Sequence, residues 1–325
     1  MWPKSYVEHI RRAEERLSTY DTRTIDWAGG TIRYAERGSG IPLLVSHGIV
    51  GGFDAALVTA ERWAGDGFRV IGPARFGYLG SALPEGASPP LQADAFAALL
   101  DALEIDRAAM LGFSAGGPPA IQFALRHPDR ITSLVLASSR LPTSPYVKVP
   151  AFLYRMVFSE RVFWLLRTLA PGRLARLMGV PKGFRPTPGE WDSIYFLMDG
   201  LFPVAPRTDG IVLDATLTNP DVEGYPLEEI AVPTLIVHAA DDTLARHETA
   251  PRASARIPGG RLVTVDRGGH LFLGREAVVR REVGEFIRSH TQVESMRGGA
   301  SARTRALVRR SFGSSNRRRT AWVRQ

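Results

Sequence analysis

The sequence predicts an α/β fold: a mostly parallel central sheet with helices on both faces and an inserted helical lid. Three observations lead there. Apolar runs of four to seven residues recur between amphipathic segments from Phe68 to Ala137, the pattern of strands buried on both faces. That alternation stops over residues 141–230, where no segment reads as a strand, and resumes at Thr234. A helical stretch inserted between parallel strands sits over their carboxyl ends, where such sheets bind ligands.

The elements follow in order. Residues 5–18 form a polar amphipathic helix. Thr22–Trp27, Thr31–Glu36 and Pro42–Ser46 read as strands, with Gly29-Gly30 as the hairpin signal between the first two. Phe68–Gly72 is a strand and Leu91–Leu103 a helix. Ala108–Gly112 is a buried strand, Ala115–Arg126 a helix and Ile131–Ala137 another buried strand. Helical pieces cover Phe152–Leu169 and Trp191–Phe202, punctuated by Pro and Gly. Beyond them come a strand at Thr234–His238, a helix at His247–Ala255, a strand at Arg261–Val265 and a final helix over Arg275–Ser289. The expected division is an N-terminal helix (1–21), a core (22–140 and 231–290), the lid (141–230) and a tail (291–325).

Hydrophobic residues make up 44% of the 325 positions and charged ones 23%, as in folded enzymes. Cysteine is absent, which excludes a disulfide framework, a thiolate zinc site and a cysteine nucleophile. The net charge of +8 resides in the tail: residues 292–325 hold nine arginines and one acid, Glu294, whereas the preceding body carries 32 cations and 32 anions. Poor in large apolar groups, the tail reads as disordered, with a fragment of helix near Ala302–Arg310. No stretch reaches the ~18 uninterrupted apolar residues of a spanning helix. The charged N-terminus, with Glu8, Arg11 and Arg12, has no signal-peptide core. A cytoplasmic protein is expected.

The chemistry centres on Gly112-Phe113-Ser114-Ala115-Gly116, a G-x-S-x-G pattern. The pattern alone is weak; its context, a buried strand before and a helix after, is what a sharp strand-to-helix elbow requires. A serine hydroxyl needs a base to take its proton, and on such an elbow the acid and then the histidine follow in the chain. Five histidines lie downstream: His127, His238, His247, His270 and His290. His270 follows the Arg261–Val265 strand across Gly268-Gly269, which lets it swing over the sheet edge. Asp241 and Asp242 follow the preceding strand; Asp242 is preferred, because the turn needs several residues before a carboxylate points inward, and Asp241 is left solvated or capping a helix. An oxyanion hole needs two backbone donors: the Ala115 amide, and one from the loop His47-Gly48-Ile49-Val50-Gly51-Gly52, Ile49 first and Val50 in reserve. His47 is expected to brace that loop.

These residues resemble the α/β-hydrolase fold superfamily, in its lid-bearing serine esterase-like branch, from roughly Thr22 to His290. The match rests on His47-Gly48, on Arg75-Phe76-Gly77-Tyr78-Leu79-Gly80-Ser81 (similar to an R-x-G-x-G-x-S segment), on the elbow at Ser114, on Asp242 and on Gly269-His270. Ala239 stands where the family often has Gly, Ala245 lies where Pro is common, and Leu79 interrupts the glycine segment; no catalytic group is lost. The resemblance implies Ser114, His270 and Asp242 as a catalytic triad. Because relatives that open epoxides or dehalogenate use an aspartate nucleophile, it argues against those reactions. Esterase, lipase-like, lactonase, C–C hydrolase and perhydrolase chemistry share the machinery.

Aromatic and aliphatic residues of the insertion, among them Phe158, Phe163 and Trp164, suit a small apolar ester-like substrate. No cofactor and no metal are expected, since no dinucleotide or metal motif is present. Nucleic-acid binding is not expected, although Arg317-Arg318-Arg319 would allow a tail tether. Arginines among apolar residues near Phe152–Arg176, like the tail, could contact an anionic surface weakly. A non-enzymatic ligand-binding protein on the same scaffold is the reading of another class.

Overall fold

The computed structural model describes residues 4–142 and 150–291; the tail and its expected helical fragment lie outside the described residues. Eight strands form one sheet: β1 (Thr22–Trp27), β2 (Gly30–Arg37), β3 (Ile41–Ser46), β4 (Phe68–Pro73), β5 (Ala108–Phe113), β6 (Ile131–Ala137), β7 (Thr234–Ala239) and β8 (Arg261–Val265). Their order is β1-β2-β4-β3-β5-β6-β7-β8. β2 runs antiparallel to β1 and β4, and every other pairing is parallel. The β1–β2 hairpin closes with Trp27 opposite Gly30, which takes a left-handed φ of 113°.

Strand periodicity divides the core into two layers. Leu43, Val45, Ala109, Leu111, Val135, Leu235 and Val237 face one side, packing against α2 (Phe53–Trp63) and the helix over 276–291 through Ala56, Trp63, Val283 and Phe286. Leu44, Met110, Leu134, Leu136 and Ile236 face the other, against α3 (Pro89–Ala102) and α4 (Gly117–Arg126). This explains why β3, β5, β6 and β7 read as uninterrupted apolar runs: both faces are covered.

Between β6 and β7 the chain forms only helices among the described residues. They include Ala151–Val157, Glu160–Leu169, Pro171–Leu177, Pro188–Gly200 and Thr208–Leu213. The single helix expected over Phe152–Leu169 breaks at Phe158-Ser159, and Pro171–Leu177 joins it as a separate turn. Pro188–Gly200 starts earlier than Trp191 because Thr187 and Glu190 form a reciprocal capping box. Helix α2 was absent from the expected elements; it follows Gly52, which offers no side-chain cap. α1 (Lys4–Ser18) packs Tyr6 edge-on against Trp164 of the insertion.

Two buried ion pairs join the insertion to the core. Arg75, just after β4, donates to both oxygens of Asp214 at 2.7 and 2.5 Å, and the Tyr78 hydroxyl donates to the same carboxylate at 2.6 Å. Arg207 donates to Asp54 of α2 at 3.1 and 2.8 Å. Neither pair could be inferred from spacing, since partners lie 139 and 153 positions apart.

Candidate active site

Ser114 stands on the turn between β5 and α4 with φ of 52°, a left-handed conformation costly for a non-glycine residue. Sequence at the flanks makes the turn possible. A Cβ at Gly116 would collide with the Ser46 and His47 carbonyl oxygens, and one at Gly112 would come within 2.7 Å of the Ala120 methyl. Strand β5 therefore delivers the serine at its carboxyl end, next to the end of β3, where Ser46 pairs with Gly112.

His270 follows β8 on a tight turn whose Gly268 and Gly269 take φ of 115° and 61°. Its Nδ1–H donates to Asp242 Oδ2 at 2.8 Å, and its Nε2 lies 2.8 Å from Ser114 Oγ. A carboxylate can only accept, so the proton sits on Nδ1 and Nε2 is left to accept from the hydroxyl. Asp242 follows β7, fully lined up by the amides of Leu244 and Ala245, which donate to Oδ1 at 2.8 and 3.0 Å. Alanine at 245 supplies an N–H that proline would lack. Burial pushes the Asp242 carboxyl up, but the His270 ring beside it, the hydrogen bond between them and the nearby His238 outweigh this and hold it below the usual range.

The sequence thus brings Ser114, His270 and Asp242 into one hydrogen-bonded line. Asp241 corrects an expectation: half-buried, it does not cap the helix that follows it in the chain. Its carboxylate accepts from the Gly269 and Gly268 amides at 2.8 and 3.3 Å, fastening the turn that carries His270. The remaining downstream histidines go elsewhere. His127 bonds Asp94, His247 bonds Thr264, and His290 bonds the Phe286 carbonyl. His238 is fully buried, its Nε2 donating to the Ala245 carbonyl at 2.5 Å.

Ile49 and Val50 occupy a four-residue turn closed by Gly51 N–H to the Gly48 carbonyl at 3.1 Å, with Val50 at φ of 62°. Ile49 and Val50 both border the chamber that contains Ser114 and His270, and Ala115 directly follows the serine. Two groups hold the turn. His47 is buried, its Nδ1–H donating to the Gly48 carbonyl at 2.8 Å while Nε2 accepts from the Arg75 amide at 3.0 Å. Burial and the Arg75 guanidinium push its pKa well below the usual value, so the ring is neutral, as that bonding pattern requires. Arg207 reaches in from the insertion and donates to the Gly51 and Val50 carbonyls at 2.5 and 3.3 Å.

The chamber at Ser114 measures about 130 Å³ and is walled by Phe113, Phe158, Phe163, Leu174, Met178 and Leu201. A second space of about 240 Å³ adjoins it past Ile49 and Leu271, with Arg16, Asp54, Arg62 and Asp199 at its margins. No cluster of three metal-ligating side chains occurs among the described residues, and none of their helices is long and apolar enough to cross a membrane.

Known proteins share this plan. An uncharacterized hydrolase of Bacillus subtilis, YcgS, is 29% identical over 78% of this chain and 93% of its own length. The 2-hydroxymuconate semialdehyde hydrolase of a Pseudomonas species is 28% identical, over 76% and 87% respectively. Among solved structures, an alpha/beta hydrolase fold protein from Nakamurella multipartita superposes with a TM-score of 0.68 at 28% identity, covering 82% of this chain and 99% of that one. The alpha/beta hydrolase fold family model matches residues 41–277. A sheet of this order, with an elbow at its centre and a family match running from the start of β3 past the His270 turn, leaves one conclusion. The chain belongs to the α/β-hydrolase fold family.

Proposed function

We propose that the protein is a serine hydrolase that cleaves an ester-like bond in a small, largely apolar substrate through an acyl-enzyme. The observation that carries this reading is the unbroken Ser114–His270–Asp242 line, with 2.8 Å at each link. Ser114 Oγ attacks the carbonyl carbon as His270 Nε2 takes its proton, and Asp242 stabilises the imidazolium without itself taking the proton. The developing oxyanion is received by the amides of Ala115 and Ile49. The imidazolium then returns the proton to the leaving oxygen, and water repeats the sequence in reverse to release the acid. No metal or cofactor enters. The inserted helices act as a lid: their apolar walls limit water and select hydrophobic groups.

The test is turnover of short p-nitrophenyl esters by the wild type and Ser114→Ala. Loss of a measurable wild-type rate in the variant supports the reading; no turnover by the wild type across several acyl lengths sinks it and favours a binding protein. A second reading is C–C bond hydrolysis by the same residues; the likeness to the Pseudomonas enzyme, named for a semialdehyde substrate and not for an ester, keeps a non-ester substrate in view. A panel of ester, lactone, thioester and vinylogous diketone substrates separates the two.

A further inference from the structure

The helices over residues 151–177 present an outer face on which large apolar and cationic side chains alternate. In Ala151–Val157 the exposed positions are Phe152, Arg155, Met156 and Val157, with Ala151 beside them; in Glu160–Leu169 they are Arg161, Leu165, Thr168 and Leu169; in Pro171–Leu177 they are Arg173, Arg176 and Leu177. Phe152, Arg155 and Met156 of the first helix, Arg161, Leu165, Thr168 and Leu169 of the second, and Arg173, Arg176 and Leu177 of the third each share one side of their own helix by their spacing. Phe152 is 67% exposed, Leu169 76% and Leu177 52%, among the most exposed large apolar groups described. Solitary exposed apolar residues are ordinary, but several gathered on three successive helices mark an interaction surface.

Charge decides what that surface meets. Residues 151–185 hold seven cations and a single acid, Glu160, a net of +6, while the rest of residues 1–291 carries −6. Glu160 is turned to the backbone, accepting from the Val204 and Ala205 amides. Arg155 and Arg167 have partners in Asp209 and Asp199, whereas Arg173, Arg176, Lys182 and Arg185 stand exposed farther along. Like charge disfavours a second copy seated face to face, and equally the arginine tail of the same chain. A nucleic acid would satisfy the arginines yet leave Phe152, Leu169 and Leu177 in water.

We propose that this face docks on an anionic lipid bilayer, its apolar side chains entering the acyl boundary and its arginines meeting the headgroups. Leu177 belongs both to this face and to the wall of the Ser114 chamber, so a docked bilayer lies against the chamber wall. The site would then draw amphiphilic molecules from the lipid. The surface stands on exposure and charge, and does not depend on Ser114 being a nucleophile.

The experiment is co-sedimentation of the full chain with phosphatidylcholine vesicles, with and without phosphatidylglycerol, at low and high salt. Binding is expected only with phosphatidylglycerol and is reversed by salt. At about fivefold per cation near an anionic surface, Arg173→Gln with Arg176→Gln lowers partitioning by about 25-fold. Phe152→Ser with Leu169→Ser lowers it by at least about tenfold, from lost apolar burial. Neither pair lines the chambers, so turnover of a soluble short ester, or an unchanged melting temperature if no ester is cleaved, certifies folding. Replacing the nine tail arginines by Gln leaves binding in place. The proposal is overturned by absent binding to phosphatidylglycerol vesicles, by binding that survives both face variants, or by binding lost with the tail substitutions alone. Capture of an acidic protein by the face without any lipid binding overturns it too.

Discussion

Replacing Arg207 by Met tests whether the insertion holds the turn proposed to receive the oxyanion. Both Arg207 and Asp54 are essentially buried, and their two hydrogen bonds measure 3.1 and 2.8 Å. Removing one partner of a buried pair costs about 3–5 kcal/mol, because the remaining charge is stranded. Here Arg16 still donates to Asp54 at 3.0 Å, so the lower end applies, about 3 kcal/mol. For a domain of this size that is a melting temperature lowered by about 6–12 °C. Loss of the same guanidinium frees the Gly51 and Val50 carbonyls, and a displaced amide donor costs catalysis: removing one outright lowers kcat by about 100- to 1,000-fold. A loosened donor is expected to lower kcat by about tenfold with KM nearly unchanged. The assay pairs thermal unfolding with kcat and KM on a short ester, for Arg207→Met alone and combined with Asp54→Leu. The double variant, lacking the stranded carboxylate, recovers stability without recovering kcat. A single variant melting within about 2 °C of wild type, under about 1 kcal/mol, refutes the buried-pair argument, and a double variant with restored kcat refutes the claim about the turn.

Two further outcomes are expected. Asp242→Asn places an amide against His270 Nδ1, favours the wrong tautomer and lowers kcat by about 10⁴-fold, whereas Asp241→Asn, which only weakens the ties to Gly268 and Gly269, lowers it far less; equal losses in the two would reassign the acid. Thermal stability should decline as pH falls below neutrality. Burial holds His47 and His238 well or clearly below their ordinary values, so below about pH 6.5 the unfolded chain takes protons that the native state refuses, at up to about 1.4 kcal/mol per pH unit for each ring. Asp54 adds a second stage: burial raises it, but Arg207 and Arg16 outweigh that and hold it at about 2. Its contribution is intact above about pH 4 and lost as pH falls toward 2. Unfolding temperatures that stay level between pH 7.5 and 5, scanned in about half-unit steps, would contradict the assignment of neutral rings.

Much of the fold was legible because the sheet is covered on both sides: β3, β5, β6 and β7 have few residues that could be anything but interior. The elbow at Ser114 was legible because two glycines are required there, Gly116 where backbone passes against the Ser46 and His47 carbonyls and Gly112 where it passes against Ala120. His270 and Asp242 followed from chain order and from loops at strand ends. Less could be read where the decisive interaction is long-range or uncapped. Helix α2 opens behind Gly52 with no capping side chain. Asp241 looked redundant beside Asp242, since its partners are backbone amides 27 and 28 positions away. Arg207 and Asp214 read as ordinary polar residues of an irregular helical region, and nothing local signals that each meets an opposite charge inside the core.

Those two ion pairs constrain how the protein can change. Arg75 and Asp54 belong to the sheet and its flanking helix; Asp214 and Arg207 belong to the segment that crosses over it. Excising that segment, or exchanging it for a relative's of different sequence, would leave the Arg75 guanidinium without its carboxylate and Asp54 with Arg16 as its remaining cation. Transplants therefore have to move in matched sets, carrying an acid for position 75 and a base for position 54. A trimmed version of this chain should fail to fold before it fails to recognise any ligand.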